Sequence, residues 1–225
     1  MRNKFLIYVI FYIFLNFNLS ADDIEIYSDN IKVLNDNNII ESINTKANIK
    51  EKKLYLEGDK SVYDKNKQEI TLTGNVVFYD ELKNLKIYSE KAIYSKTIDT
   101  LKTKGITKIK IEDEYEILSK NMIYDRISQN IFSREETRIN DNLGNVYKIQ
   151  DSFKFDLINE VISSKKVNIL DNKNNIYFFE NSKIDLINKE IVGQEIKIEF
   201  IDNYFGNSDN DPILKGRSAI SNSKE

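Results

Sequence analysis

Side chains that could act in catalysis are present in this sequence, but they form no convincing catalytic arrangement. Serine and lysine lie together in "SEKAIYSK" (89–96) and "SSKK" (163–166), and acidic residues cluster in "EDEYE" (112–116). A serine nucleophile would need an S-x-x-K or G-x-S-x-G setting. Paired carboxylates would suit glycoside hydrolysis, and spaced ones calcium binding, but the D-x-D-x-D-G pattern is missing. Polar strand faces and charged strand edges account for these residues more simply.

The composition argues against several other classes of chemistry. The 225 residues include no histidine and no cysteine, which removes the commonest general base, the commonest metal ligand and any disulfide framework. The net charge of −3 provides no basic field for nucleic acid. We therefore expect no catalytic residues, no metal, no cofactor and no nucleic-acid partner, and we predict that the protein is not an enzyme.

The first residues have the features of a secretory signal peptide. Arg2 and Lys4 precede an apolar run from Phe5 to Leu15, and Ala21 provides a small residue for cleavage. The apolar run is short for a membrane-spanning helix, which needs about 20 residues. We predict a signal peptide over residues 1–21 and a mature chain in the periplasm. The alternative is an uncleaved membrane anchor.

Period-two alternation then dominates the chain and predicts β-strands. In "ITLTGNVVF" the residues Ile70, Leu72, Val76 and Phe78 fall on one side of the strand, and "EIKIEF" alternates in the same way. Such strands have one apolar and one polar face, so they pack into a sheet with a single buried side.

The strands recur with a period of about 30 residues. Segments such as "GDKSVYDKNKQ" and "SEKAIYSKTID" align on one bulky position, with steps of 30, 31, 30, 31 and 29 residues. The aligned positions are Val33, Tyr63, Tyr94, Tyr124, Phe155 and Ile184. A fixed period of this size indicates stacked units, here about six units of two strands joined by Asn/Asp turns.

The apolar faces of successive units would line one continuous interior. Core packing is one role for these side chains, and holding an apolar ligand in a partly open groove is the other. The candidate groove residues are Leu72, Val76, Phe78, Leu85, Ile87, Tyr94, Ile109, Ile111, Tyr124, Val167, Ile169, Ile196 and Ile198.

The repeat resembles that of the OstA-like (organic-solvent-tolerance-like) domain of lipopolysaccharide-transport proteins. The pattern A-x-Y followed by G-N-V-x-F-x-D is clearest in "LEGDKSVYDKNKQEITLTGNVVFYD", residues 56–80, where Ser61 stands in place of the alanine, and the resemblance extends over roughly residues 24–200. The family includes LptA, LptC and the N-terminal domain of LptD. "DPILKGRS" near the C-terminus resembles the segment that joins the periplasmic domain of LptD to its outer-membrane barrel, although Ile213 stands where arginine is expected.

The resemblance implies an all-β, repeat-built β-jellyroll or open β-sandwich with a V-shaped groove that shields the acyl chains of lipopolysaccharide. It further implies other OstA-like transport proteins as partners through edge-strand addition, an outer-membrane assembly partner, and a location in the periplasm next to the outer membrane. The domains expected are the signal peptide (1–21), the OstA-like domain (22–203) and a linker (204–225), with no barrel strands after it.

Three alternatives remain open at this point. A structural or adhesive β-solenoid would have a closed core that lipid cannot reach. A carbohydrate-active β-helix enzyme would need a convergent acid or base site. Within the transport family, LptD-like and LptA-like roles differ at the C-terminus, where the sequence favours an LptD-like domain or a fragment of such a protein.

Overall fold

The computed structural model describes residues 24–200 and 213–222, which consist almost entirely of β-strands. The predicted signal peptide and residues 204–212 and 223–225 of the predicted linker lie outside these described residues. Two three-residue 3-10 helices, Lys50–Lys52 and Glu81–Lys83, are the helical elements described. Within the described residues, no helix has the length and apolar character needed to cross a membrane.

Seventeen strands form one sheet. They are β1 (Glu25–Tyr27), β2 (Asn30–Leu34), β3 (Ile39–Ile49), β4 (Leu54–Asp64), β5 (Glu69–Asp80), β6 (Leu85–Ser95), β7 (Thr100–Ile111), β8 (Tyr115–Lys120), β9 (Ile123–Asp125), β10 (Asn130–Ser133), β11 (Thr137–Asp141), β12 (Val146–Ile149), β13 (Phe153–Asp156), β14 (Val161–Leu170), β15 (Ile176–Asp185), β16 (Glu190–Glu199) and β17 (Ile213–Asn222).

The sheet is an antiparallel meander of long strands in chain order. Four of the long strands are interrupted in the middle, so each of them consists of two shorter strands in sequence. The pairs that make up one long strand are β1 with β2, β8 with β9, β10 with β11, and β12 with β13. For example, β8 pairs with the second part of β7 and β9 with its first part. Register shifts lie near the middle of three pairings of uninterrupted strands: β4 with β5, β5 with β6, and β6 with β7.

The ladders between the uninterrupted long strands are broken near their middle, where several strands bend, and we call this line the fold line. Residues with left-handed backbone geometry recur along it, one or two repeat periods apart: Asn44, Asn75, Gly105, Lys166 and Glu195. In β14 the buried residues are Ile162 and Ser164 before the bend and Val167 and Ile169 after it, so that one extra residue is accommodated. Such an extra residue bends a strand and interrupts its ladder.

The bends fold the sheet onto itself, so that its two halves face each other as layers. Phe78, beyond the bend in β5, lies 5.9 Å from the Tyr94 ring and 6.2 Å from the Tyr124 ring, measured between ring centroids. Within the sheet Phe78 pairs with Ile87 instead. The Phe78–Tyr94 contact therefore crosses the interior, and the result is a closed sandwich that confirms the predicted all-β, repeat-built class.

The turns form two rows, which we call the first and the second rim. The first rim consists of turns at 35–38, 65–68, 96–99, 126–129, 157–160 and 186–189, and the second of the connections at 50–53, 81–84, 112–114, 142–145 and 171–175. Neighbouring turns of one rim are joined by backbone hydrogen bonds, such as Lys96 N–H to the Gln68 carbonyl. We call the strand parts next to each rim the first and the second half-sheet.

The sheet extends beyond the boundary predicted at residue 203. β17 occupies residues that were expected in the linker, and it pairs with β16 from Ile213–Glu199 to Asn222–Glu190. The strand begins directly after Pro212 in the sequence, and proline is tolerated at the edge or start of a strand. A proline cannot donate to a strand ladder and would suit the end of the strand array, but here a further strand follows it.

Candidate functional site

The interior between the two half-sheets contains the predicted groove residues. The repeat anchors lie on one cross-strand row of the first half-sheet, which runs through Tyr63, Ile70, Tyr94, Leu101, Tyr124, Ile131, Phe155, Ile162, Ile184 and Ile191. The second half-sheet has a matching row through Leu56, Phe78, Ile87, Ile109, Ile117, Ile139, Tyr147, Ile169, Tyr177 and Ile198. Two nearly unbroken apolar rows therefore face each other along the sandwich.

The other predicted groove residues flank these rows. Leu72 lies in the first half-sheet, and Leu85 pairs with Ile111 beside the second rim. Val76, Val167 and Ile196 lie just beyond the bends of their strands. Except for Ile111 and Ile198, which are partly exposed, every predicted groove residue is buried, with Phe78 at 0% exposure. The interior is thus apolar but closed to solvent, and lipid binding by these residues stays a prediction.

Hydroxyl groups line the interior at the fold line, which the sequence reasoning did not anticipate. Ser42 and Ser61 are 2.6 Å apart between their Oγ atoms, and Ser164 and Ser182 are 2.7 Å apart. The Thr137 hydroxyl donates to the Ser119 Oγ at 2.7 Å. Because of these mutual hydrogen bonds, each of these buried hydroxyl oxygens has a hydrogen-bond partner. The interior consequently changes from polar at the fold line to apolar towards the rims.

At the rims, an ionic cluster joins the two layers. Arg126 of the first rim donates from Nε to the Asp80 carboxylate beside the second rim, at 2.7 Å. Its Nη1 donates to Asp99 at 2.8 and 2.9 Å, and its Nη2 to the Lys52 carbonyl at 3.2 Å. Lys52 Nζ lies 3.5 Å from Asp99. We call these residues, with the two tyrosines described next, the rim cluster.

Two repeat anchors supply the remaining members of the cluster. The Tyr94 hydroxyl donates to Asp99 at 2.6 Å, and the Tyr124 hydroxyl donates to Asp80 at 3.0 Å. The Asp80 side chain is 1% exposed and that of Arg126 is 9% exposed. Their ion pair is therefore buried, where a charge without a partner is strongly unfavourable.

The pKa shifts in the cluster follow from this burial. Burial alone would raise the pKa of Asp99, but the hydrogen bonds from Tyr94 and Arg126 outweigh it and lower that pKa below 3.8. Burial and the neighbouring carboxylates raise the pKa values of Tyr94 and Tyr124. Asp99 is accordingly ionised, and the two tyrosines are neutral donors, at neutral pH.

No metal centre is apparent in the described part of the chain, where no group of three or more potential metal ligands is found. The acidic residues of "EDEYE" lie at and beside the second rim and line a small surface depression. The groups described at this site can bind a ligand through apolar contact, hydrogen bonds and charge.

Comparison with known proteins identifies the N-terminal part of the sheet. Residues 16–97 match the family model described as "LptA/(LptD N-terminal domain) LPS transport protein". This match confirms the predicted resemblance for that segment, and the family consists of transport proteins rather than enzymes.

Among solved structures, the chain is similar to LptH of Pseudomonas aeruginosa, described as the LptA homologous periplasmic component of the conserved lipopolysaccharide transport device. The identity is 10% and the TM-score 0.27, over 64% of this chain and 82% of the other. No curated protein matches the chain.

Proposed function

We propose that this protein binds lipopolysaccharide in the periplasm and shields its acyl chains, between the two half-sheets, on the way to the outer membrane. The observation that carries the proposal is the pair of apolar rows that continues across the strands of the repeat. The family match at residues 16–97 supports a role in lipopolysaccharide transport. Each methylene group transferred from water to this interior would contribute about 0.8 kcal/mol.

Lipid can reach the interior only if the closed sandwich opens, and the rims are the most favourable place for this opening. Along the fold line the layers continue into each other through the backbone, whereas at the rims they meet through side chains such as Arg126 and Asp80. Parting the rims would leave the strand ladders intact. Acyl chains would then enter sideways, while sugar and phosphate groups stay in water.

Neighbouring transport proteins would dock on the ends of the sheet. In the described residues, β17 pairs with β16 alone, and β1 and β2 pair with β3 alone. Each end consequently presents unpaired backbone groups that suit strand addition by another OstA-like domain or by an outer-membrane assembly partner. The "DPILKGRS" segment favours an LptD-like position in such an assembly.

Photo-crosslinking tests whether lipid reaches the interior. In one variant a photoreactive residue replaces Phe78, which faces the interior. In the other it replaces the neighbouring Tyr79, whose ring stacks on that of Tyr55 on the outer face with 5.9 Å between the ring centroids. With purified lipopolysaccharide we expect an adduct at position 78 and little at position 79. Equal adducts at both positions, or adducts at position 79 alone, would contradict binding in the interior.

The closed interior is an observation in favour of the structural alternative, a β-solenoid with a core that lipid never enters. The absence of adducts at both positions, in folded protein, would support that alternative. Far-ultraviolet circular dichroism of each labelled protein provides the necessary evidence of folding.

A crosslink between the rims tests the route of entry. Because the chain has no cysteine, Lys52→Cys/Asp99→Cys can be joined specifically by a short thiol-reactive reagent. The control pair Lys53→Cys/Glu81→Cys joins neighbouring connections of the second rim, whose side chains already contact each other at 3.4 Å. We expect the first crosslink to abolish the adduct at position 78 and the second to leave it unchanged. An adduct that persists with the rims locked would exclude sideways entry.

A further inference from the structure

A groove on the solvent side of the first half-sheet has properties that differ from those of the interior. Its volume is about 660 Å3. Four neighbouring long strands contribute to it, two of them through their parts β10 and β13 and the other two being β14 and β15, together with the residues next to them. The exposed residues Ser163 and Lys165 alternate with the buried residues Ile162 and Ser164, so the groove opens away from the interior. This volume is ordinary for a small-molecule site.

The lining of the groove is cationic. Arg134, Lys154 and Lys165 are among the lining residues, which include no carboxylate, although acidic residues outnumber basic ones in the chain. In the described part of the molecule, none of these three cations takes part in an ion pair. A second depression on the sheet, near Ile106, is lined by both lysines and glutamates. Lys154 also interacts through its charge with Asp156, so an anion in the groove would find unpaired positive charge on Arg134 and Lys165.

Hydroxyl, amide and aromatic groups accompany the cations. Ser128, Ser152, Ser163 and Asn181 provide donors and acceptors, and Phe132 provides an apolar surface. Asn130 also lines the groove, and its buried Oδ1 atom has no hydrogen-bond partner. Several neutral donors and acceptors around one aromatic side chain suit a ligand that carries many hydroxyl groups, and a guanidinium group suits a phosphate.

We propose that this groove binds a phosphorylated sugar, with Arg134 and Lys165 at the phosphate and the serine and asparagine side chains at the hydroxyl groups. The site is separate from the interior, so it does not depend on lipid binding between the half-sheets. The sugar is either free or part of a larger phosphorylated saccharide, since both present the same chemistry.

Calorimetric titration of the purified full chain with glucose 6-phosphate tests the proposal. We expect saturable binding that weakens at least about tenfold in Arg134→Gln/Lys165→Gln, because two charged hydrogen-bond donors are lost. The matched control is Lys102→Gln/Lys104→Gln, which removes two exposed charges from β7 in the same half-sheet, outside the groove. We expect the control to bind like the unchanged protein, and circular dichroism to show both variants folded.

Several outcomes would overturn the proposal. Equal weakening in the two variants would mean a response to overall charge, and no binding up to about 10 mM would mean no site. Inorganic phosphate that binds as well as glucose 6-phosphate would reduce the site to a simple anion site. The lipid-free phosphorylated saccharide released from lipopolysaccharide distinguishes the sources: binding tighter than that of glucose 6-phosphate indicates the larger saccharide, and equal or weaker binding indicates the free sugar. The lipid adduct at position 78 is measured independently, so each proposal can fail without the other.

Discussion

Replacing Arg126 by methionine removes the more buried of the two cations that join the rims, the other being Lys52. Methionine keeps an unbranched stem of similar length, so the change acts mainly on charge. The Asp80 carboxylate, 1% exposed, would retain the Tyr124 hydroxyl at 3.0 Å and the Leu82 N–H at 3.2 Å, but no positive partner at 2.7 Å. The second carboxylate, Asp99, is 18% exposed and keeps Lys52 and Tyr94. Most of the loss of stability in Arg126→Met is therefore expected to come from the unpaired charge of Asp80.

Breaking a buried ion pair by removing one partner costs about 3–5 kcal/mol of stability, because the remaining charge stays desolvated. We expect a loss of this size from Arg126→Met, which is a large share of the total of about 5–15 kcal/mol for a typical domain. Asp80→Asn, added to Arg126→Met, removes the buried charge and should restore part of the loss. Lys53→Met is the control, since its ion pair with Glu81 is exposed and worth at most about 1 kcal/mol.

Urea unfolding at neutral pH, followed by far-ultraviolet circular dichroism, measures these free energies of unfolding, with an unchanged m-value as evidence that the same transition is compared. A loss below about 1 kcal/mol for Arg126→Met would refute the reasoning, because it would place the ion pair among exposed ones. A double variant no more stable than Arg126→Met would show that the buried charge of Asp80 is not the cause.

Further predictions concern packing and pH. A methyl group on Gly193 would overlap the ring of Phe179, so Gly193→Ala should cost about 1–3 kcal/mol in the same unfolding assay. At Gly216 the added methyl group would meet its nearest atom at 3.7 Å, so Gly216→Ala should have a smaller effect, and equal losses would contradict this account. Because the pKa of Asp99 is lower in the folded state, its contribution to stability is present above the unfolded pKa of about 3.9 and disappears as the pH falls through the folded value. The stability of the unchanged protein should therefore fall more steeply below about pH 4 than that of Asp99→Asn, and parallel pH profiles would show that Asp99 contributes nothing.

The cross-strand rows could be predicted because they follow from two periods in the sequence. Alternation by two places every second residue on the inner face, and the repeat of about 30 residues places Tyr63, Tyr94, Tyr124 and Phe155 in the same position of every second strand. Val33, the first aligned position, is 48% exposed, since β2 is at the edge of the sheet.

The bends and the rim cluster could be predicted only in part. Glycine and asparagine at the bends of β5 and β7 are residue types that favour left-handed geometry, but Lys166 and Glu195 adopt it without such a signal. The ion pair of Asp80 and Arg126 joins residues 46 positions apart. It depends on how the sheet folds over, which period-two alternation does not specify. The repeat itself points to three members of the cluster: Asp80, which is the aspartate of the G-N-V-x-F-x-D pattern, and the anchors Tyr94 and Tyr124.

The fold line and the rims, which lie on opposite sides of the sandwich, determine how the interior can open. At the fold line each strand crosses from one layer into the other, whereas the described backbone hydrogen bonds between turns run along a rim, as from Lys96 to Gln68, and not across it. Opening at the rims without a ligand would expose apolar side chains at a cost of about 25 cal/mol for each Å2. The closed sandwich is therefore expected to be the ground state of the lipid-free protein. An acyl chain that covers the same side chains removes most of this cost, so the proposed opening is coupled to lipid binding. Because the contacts of the rim cluster must also break, the cluster sets how much binding free energy the lipid must supply.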